Sequence, residues 1–353
     1  MSLTEEEAAT YDRQIRLWGL DAQKRLRASR ICVLGVYGLG SEVCKNLVLA
    51  GIKSMCIVDH RTVGPDCIGS QFLVRDEDEG KNIAEAAAPR LQILNPNVQI
   101  QTETSDPEQL GDEFFKQFDV VCVLGLAAKS SFLERVNRIC RADNIKFYSG
   151  GIYGFHGHFF TDLGSEYSYV IEESKNKLAN VSIDDGADNS STEPSAKKSK
   201  PSEEANGDDS TKMVKQCMEF APWARASNPD WSCGASARTI RRTSPIYFVM
   251  LILQNFIDHH GRSPATSSHE SDFKEICSLR DSILKKLQLA DTVVPNDLLR
   301  QCIAELSPVC AIVGGVLGQE VIKAVSGKDA PLNNFFLYHG VQGNGMVEKL
   351  GYS

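Results

Sequence analysis

The sequence predicts an α/β protein: a mainly parallel sheet, an antiparallel extension to it, and a mostly helical insertion. Three observations carry this. Residues 30–59 read as strand, glycine turn, helix, strand and acid. The order β-α-β then repeats as far as Tyr148, which implies parallel strands with helices on both faces of the sheet. From Tyr153 to Val170, glycine-spaced strands follow one another with no helix between them, which implies antiparallel pairing.

Residues 5–28 read as a helical arm ahead of the first strand. Tyr11, Ile15, Leu17, Trp18 and Leu26 make an incomplete apolar stripe, and Arg13, Arg16, Arg25 and Arg27 leave the arm basic. Two readings stand for Arg13 and Arg16: a solvated helix face, or a pair of guanidinium forks reaching for a phosphate. Ile31 to Leu34 is a wholly apolar run, as expected of a strand buried on both faces. Gly35, Gly38 and Gly40 form the turn, Ser41 is the expected N-cap, and Val43, Leu47 and Ala50 recur at helical spacing up to a stop at Gly51. Met55 to Val58 is the second strand, and Asp59 lies 19 residues beyond Gly40. Strand, turn, helix, strand and acid make half of a nucleotide-binding unit. The glycines, however, are spaced G-x-x-G-x-G, with Tyr37 where backbone would normally approach a pyrophosphate.

Residues 60–80 read as a loop with a turn at Gly64-Pro65-Asp66, Lys81 to Leu94 as a helix and Val98 to Thr102 as a strand. Phe114 to Phe118 is a short amphipathic piece leading into a third buried strand, Asp119 to Leu124. A helix over Phe132 to Ile139 and a strand over Ile145 to Tyr148 follow. Residues 184–210 combine acids, serines, prolines and glycines with hardly an apolar side chain, so burial cannot offset the entropy of ordering them. Lys197-Lys198-Ser199-Lys200 within that tract fits either a nuclear import signal or plain solvation. Residues 211–306 read as mostly helical, with Ile246 to Ile257 buried, Phe273 to Leu289 amphipathic and Pro295 opening another helix. The helix Pro308 to Val325 carries Gly314, Gly315 and Gly318, placed either for packing inside the domain or for a subunit interface. Phe335 to Leu350 reads as a terminal hairpin. The divisions are 1–175, an α/β domain; 176–212, an acidic disordered linker; 213–300, the helical insertion; and 301–353, the end of the α/β domain.

Composition narrows the function classes. The 353 residues, 42% of them hydrophobic, suffice for a sizeable core. Acids exceed bases by 46 to 38, a formal charge of −8, which argues against a general nucleic-acid binder. The acidic start is no signal peptide, and no apolar stretch reads as long enough to cross a bilayer. Eleven cysteines occur without a C-x-x-C pair, which suits a reducing compartment. Cys32, Cys44, Cys56, Cys122 and Cys310 lie in apolar runs and are expected as small buried hydrophobes.

Tyr11 to Gly19 (YDRQIRLWG), the glycine turn with Asp59, and Pro308 to Gly315 occur in that order. Together they resemble the adenylation domain of the ubiquitin-like-modifier activating enzymes and their bacterial sulfur-carrier relatives, over residues 10–175 and 300–350. The resemblance implies a Rossmann-like, ThiF-type adenylation fold. It also implies a reaction in which ATP and magnesium adenylate a modifier's C-terminal glycine, which then passes to a cysteine as a thioester. One adenylation-type domain with a linker and a helical insertion is similar to the smaller, non-cysteine subunit of a heterodimer in the SUMO branch of that family. Implied partners are a larger catalytic-cysteine subunit and SUMO, with no nucleic acid and no membrane, and the implied location is the nucleus, the cytoplasm being left open.

Adenylating members carry Asn-Leu-Asn-Arg-Gln before a Phe, whereas this chain has Cys67-Ile68-Gly69-Ser70-Gln71-Phe72. Gly125 to Lys129 offers no carboxylate to a metal, and Tyr37 crowds the phosphate turn. Gly35, Gly38, Gly40, Asp59, Gln71 and Lys81 remain as a degenerate nucleotide site, with no metal ligands and no firmly bound cofactor. ATP and Mg2+ are then expected mainly on the partner. Arg13 matches the family position that reaches a partner's triphosphate in trans. Three other readings fit parts of the pattern: a self-sufficient homodimeric adenylating enzyme, an NAD-dependent oxidoreductase with Asp59 on a ribose, and an interaction scaffold without chemistry.

Overall fold

A computed structural model of the chain describes residues 5–173, 212–231 and 240–352. The acidic tract and Lys197 to Lys200 lie outside the described residues. The basic arm is three helices rather than one: α1 (Glu5–Thr10), α2 (Asp12–Trp18) and α3 (Leu20–Ala28). Tyr11 and Gly19, the latter at φ +87°, break it into segments that wrap the domain edge.

The α/β unit follows: β1 (Arg30–Leu34), α4 (Gly38–Leu49), β2 (Ser54–Val58), α5 (Pro65–Ser70), α6 (Ile83–Leu94), β3 (Gln99–Glu103), α7 (Asp112–Phe115), β4 (Val120–Leu124), α8 (Ser130–Ala142) and β5 (Lys146–Tyr153). After it come β6 (His156–Asp162), β7 (Tyr167–Glu173), β8 (Lys212–Met218), α9 (Trp223–Ala226), α10 (Pro245–His260), α11 (His269–Lys286), α12 (Asn296–Arg300), α13 (Ser307–Ser326), β9 (Phe335–His339) and β10 (Asn344–Glu348).

Eight strands form one sheet in the order β10-β9-β6-β5-β4-β1-β2-β3. The pairs from β3 through β5 are parallel, and β6, β9 and β10 add antiparallel strands. Each face of the sheet carries its own apolar layer. One joins Leu26, Val43, Leu47, Leu91, Val313, Leu317 and Val321 of α3, α4, α6 and α13. The other joins Phe115, Val136, Trp223, Tyr247, Phe256 and Ile276 of α7 to α11. The helices after residue 220 thus bury their apolar sides on the same sheet as the α/β core.

Four further departures from the sequence reading appear in the fold. The segment 60–80 contains α5, which starts with Pro65 at a first-turn position where the missing N–H costs nothing. Ser41 is no N-cap, because α4 already begins at Gly38. The stretch 211–306 opens with a strand, β8, which pairs with β7 in a separate two-stranded sheet. Finally, α13 is by length and composition apolar enough to cross a membrane, and 61% of its most apolar window is buried in the fold. Cys32, Cys44, Cys56, Cys122 and Cys310 are buried free thiols, as their apolar surroundings predict.

Candidate functional site

In a sheet of this kind a ligand crevice opens where neighbouring strands lead their connections to opposite faces, here between β1 and β4. The turn after β1 is closely packed against its own chain. Gly35 has φ +92°, and a Cβ on it would lie 1.9 Å from the Leu124 carbonyl oxygen. A Cβ on Gly40 would lie 1.9 Å from the Gly35 carbonyl oxygen. Glycine at these two positions is therefore required by the turn itself, whatever the turn binds. A Cβ on Gly38 would meet Cys310 Sγ at 2.6 Å and Glu305 Oε2 at 2.8 Å. Ser41 Oγ, in the first turn of α4, donates to Gln71 Oε1 at 2.6 Å.

Asp59, buried at the end of β2, accepts the Val36 N–H at 2.8 Å. Arg61 closes on it in a fork, Nε to Oδ1 at 2.9 Å and Nη2 to Oδ2 at 2.7 Å. The third nitrogen of that guanidinium, Nη1, donates to the Gly125 carbonyl at 3.0 Å across the crevice. The Tyr37 ring lies 4.0 Å from its carbon, in cation–π geometry. Burial alone would raise the Asp59 pKa, but the Arg61 hydrogen bonds and charge outweigh it and hold the carboxyl below its ordinary value.

Glu305 enters from the segment ahead of α13. Its Oε2 accepts the Leu39 N–H at 3.2 Å, at the positive end of the α4 dipole. Its Oε1 lies where a Cβ on Gly125 would approach to 2.7 Å, so the carboxylate bridges the turns after β1 and β4. Desolvation pushes its pKa up to about 7, against the helix amides and Arg61, which pull it down. The Cys310 thiol beside it is pushed up by its own burial and by the Glu305 charge.

The structure brings Gly35, Gly38, Gly40, Asp59 and Gln71 around one turn. The Gln71 side chain is spent on that turn, Nε2 donating to the Val36 carbonyl at 2.8 Å. Lys81 points its ammonium at Asp78, 2.9 Å away, and that carboxylate also accepts from Arg90. No described contact carries Lys81 to Asp59 or Glu305.

Arg13 lies on a different surface, and the reason is Tyr11. The Tyr11 ring fills the space above Gly51, where a Cβ would sit 2.4 Å from the ring, and its hydroxyl accepts from Asn95 Nδ2 at 2.7 Å. Gln14 donates to the Leu49 carbonyl at 3.2 Å, and Trp18 reaches Ala50 through Gln23. The motif's Tyr, Gln and Trp thus dock the arm on the end of α4. Arg13 and Arg16 are left exposed, Arg16 paired with Asp12 at 2.9 Å.

A nucleoside triphosphate with magnesium needs a free acid for the ribose, free amides for the phosphates and a carboxylate for the metal. Here Asp59 is engaged by Arg61, the Leu39 amide by Glu305, and Gly125 to Lys129 has no carboxylate. Among the described residues no group of three or more His, Cys, Asp or Glu side chains is placed to hold a metal ion. The residues present do not fit that ligand. Arg61 and Glu305 are the two that sequence reasoning missed. Arg61 had a signal, a guanidinium two positions after the ribose-type acid; Glu305 had none, since it meets Leu39 from 266 positions away.

The family model described as ThiF family matches residues 11–351. The chain is 42% identical over 349 residues to SUMO-activating enzyme subunit 1 of Homo sapiens, a match covering 99% of this chain and 96% of that protein. It is 43% identical over 351 residues to the Xenopus laevis protein of that name, covering 99% and 97%. To the Danio rerio protein it is 41% identical over 348 residues, covering 98% and 95%.

Proposed function

The chain belongs to the ThiF family, and from that premise we propose that it is the non-cysteine subunit of a heterodimeric, ATP-dependent SUMO-activating enzyme. The larger subunit would supply the working nucleotide site, its ATP and Mg2+, and the cysteine that takes the modifier as a thioester. This chain would contribute Arg13 to the partner's site and have negligible activity alone. On the same reading the heterodimer works in the nucleus, which imaging of the tagged chain in cells checks.

One contrast carries the proposal: an arm docked so that Arg13 is exposed, in a chain whose own ribose-type acid and α4 amide are already engaged by Arg61 and Glu305. A guanidinium against a departing pyrophosphate stabilises the charge that builds there, and such residues are worth on the order of 10³-fold or more in rate. The test mixes this chain with the larger subunit, SUMO, ATP and Mg2+ and follows thioester formation. Arg13→Ala is expected to cut the rate by roughly that factor while leaving the heterodimer assembled. Normal turnover by the variant removes Arg13 from the mechanism. ATP–pyrophosphate exchange by the chain on its own would favour the homodimeric reading instead.

A further inference from the structure

We infer that Glu305 and Arg61 are this chain's internal substitutes for a nucleotide, occupying the phosphate and ribose positions of its crevice so that the site is closed by occupation as well as by lost ligands. The inference rests on the proposal that adenylation is done at the partner's site. It deepens that proposal by naming what shuts the second site.

Three features meet at one place. The crevice lies at the switch point between β1 and β4, where an α/β sheet of this order takes its ligand. At that point the first-turn amides of the 12-residue α4 face an anion, and the anion is the Glu305 carboxylate, 3.2 Å from the Leu39 nitrogen. The acid that would hold ribose hydroxyls is bound instead by the Arg61 fork, which spans to Gly125 and covers Tyr37. Within the set Asp59 is paired with Arg61, and Glu305 sits at the helix end. A polyphosphate entering this crevice would meet the Glu305 charge where its own must sit. With that side chain shortened, the α4 amides and Arg61 face an open anion position.

The experiment uses the full chain without its partner, with inorganic pyrophosphate and ADP as probes, read by titration calorimetry and by the amide resonances of Leu39 and Gly40. The native chain is expected to show no saturable binding. Glu305→Ala vacates the position and is expected to bind pyrophosphate at least tenfold more tightly than the native chain, moving the Leu39 resonance. Glu305→Gln keeps the side-chain volume and an acceptor for Leu39 while removing the charge. It is expected to gain less, and it decides the matter if the alanine variant fails to fold. Glu166→Ala, an exposed carboxylate elsewhere, controls for net charge and should bind as the native chain does. Folded Glu305 variants that bind neither probe better than the native chain overturn the inference, as does a native chain that already binds ADP at Leu39. Either result leaves the Arg13 assay standing, and a normal Arg13→Ala enzyme leaves the Glu305 result standing, so the two failures are told apart.

Discussion

Arg61 lies two residues beyond Asp59 and turns back on it, with 2.7 Å between Nη2 and Oδ2, so a buried acid at the end of β2 finds its counter-ion within the same turn. Removing one partner of such a pair strands the other. Arg61→Ala is expected to destabilise the chain by about 3–5 kcal/mol near pH 8, because Asp59 is left charged and enclosed. The sign with pH follows. Without the guanidinium, burial raises the Asp59 pKa above its unfolded value, so the deficit is full at pH 8 and shrinks as the pH falls and the acid takes up a proton. Urea denaturation at pH 8 and pH 5 checks this; a deficit equal at both would mean that Asp59 is not the group left stranded.

The arm gives a second expectation. Gly51 has φ +79°, and its missing Cβ is the space that the Tyr11 ring fills. Gly51→Ala is expected to expel Tyr11 and undock α2, with a loss of thioester formation close to that of Arg13→Ala although Arg13 is intact. Tyr11→Phe keeps the ring and loses only the Asn95 bond, worth about 1 kcal/mol, and should leave the rate nearly native. Melting curves alongside the rate assay separate undocking from global unfolding.

What the sequence made legible was local. The run from Ile31 to Asp59 could be read because its periods of two and 3.6 sit inside one short stretch, and the hairpin of β9 and β10 for the same reason. The strand β8 could not: its residues are mostly exposed, Met213, Val214, Cys217 and Met218 do not alternate with Lys212, Lys215 and Gln216, and it is a strand because β7 lies alongside it across a long connection. Tyr11 was read as part of a helical stripe, but its burial depends on the socket at Gly51 and Asn95. Glu305 is the extreme case. Its meaning comes entirely from where α13 brings it, and no spacing announces a carboxylate beneath a glycine turn.

Of the three glycines of α13, two serve the first of the roles the sequence left open, packing inside the domain. A Cβ on Gly314 would lie 2.7 Å from Glu42 Cβ, and one on Gly318 would lie 2.9 Å from Asn46 Cβ, so both serve packing against α4. Gly315 meets nothing within 4 Å. Gly314→Ala is expected to cost about 1–3 kcal/mol through overpacking. Gly315→Ala should instead stabilise the isolated chain by about 0.5–1 kcal/mol through helix propensity. Comparing the variants alone and with the larger subunit tests the interface role, since a Gly315 pressed by a partner would weaken assembly when given a methyl group.

Glu305 links the crevice to pH. Its folded pKa, about 7, stands above the ordinary 4.5, so between those values the folded chain holds a proton that the unfolded chain has released. Stability from this group is fully present below pH 4.5, is lost as the pH rises through 7, and reaches a penalty on the order of 3 kcal/mol above that. The native curve will not display this simply, because His156 and His158, lowered by burial to about 4 and 3, act in the opposite sense below pH 6.5. The difference between Glu305→Gln and the native chain isolates the carboxylate. The groups facing it contribute little titration of their own: Arg61 stays charged, Asp59 stays ionised against Arg61, and the Cys310 thiol stays neutral. The advantage of Glu305→Gln should therefore grow from pH 4.5 to 7 and level off above. A difference flat with pH would mean that the carboxylate is well solvated, and a solvated carboxylate would yield the α4 amides to a phosphate without resistance.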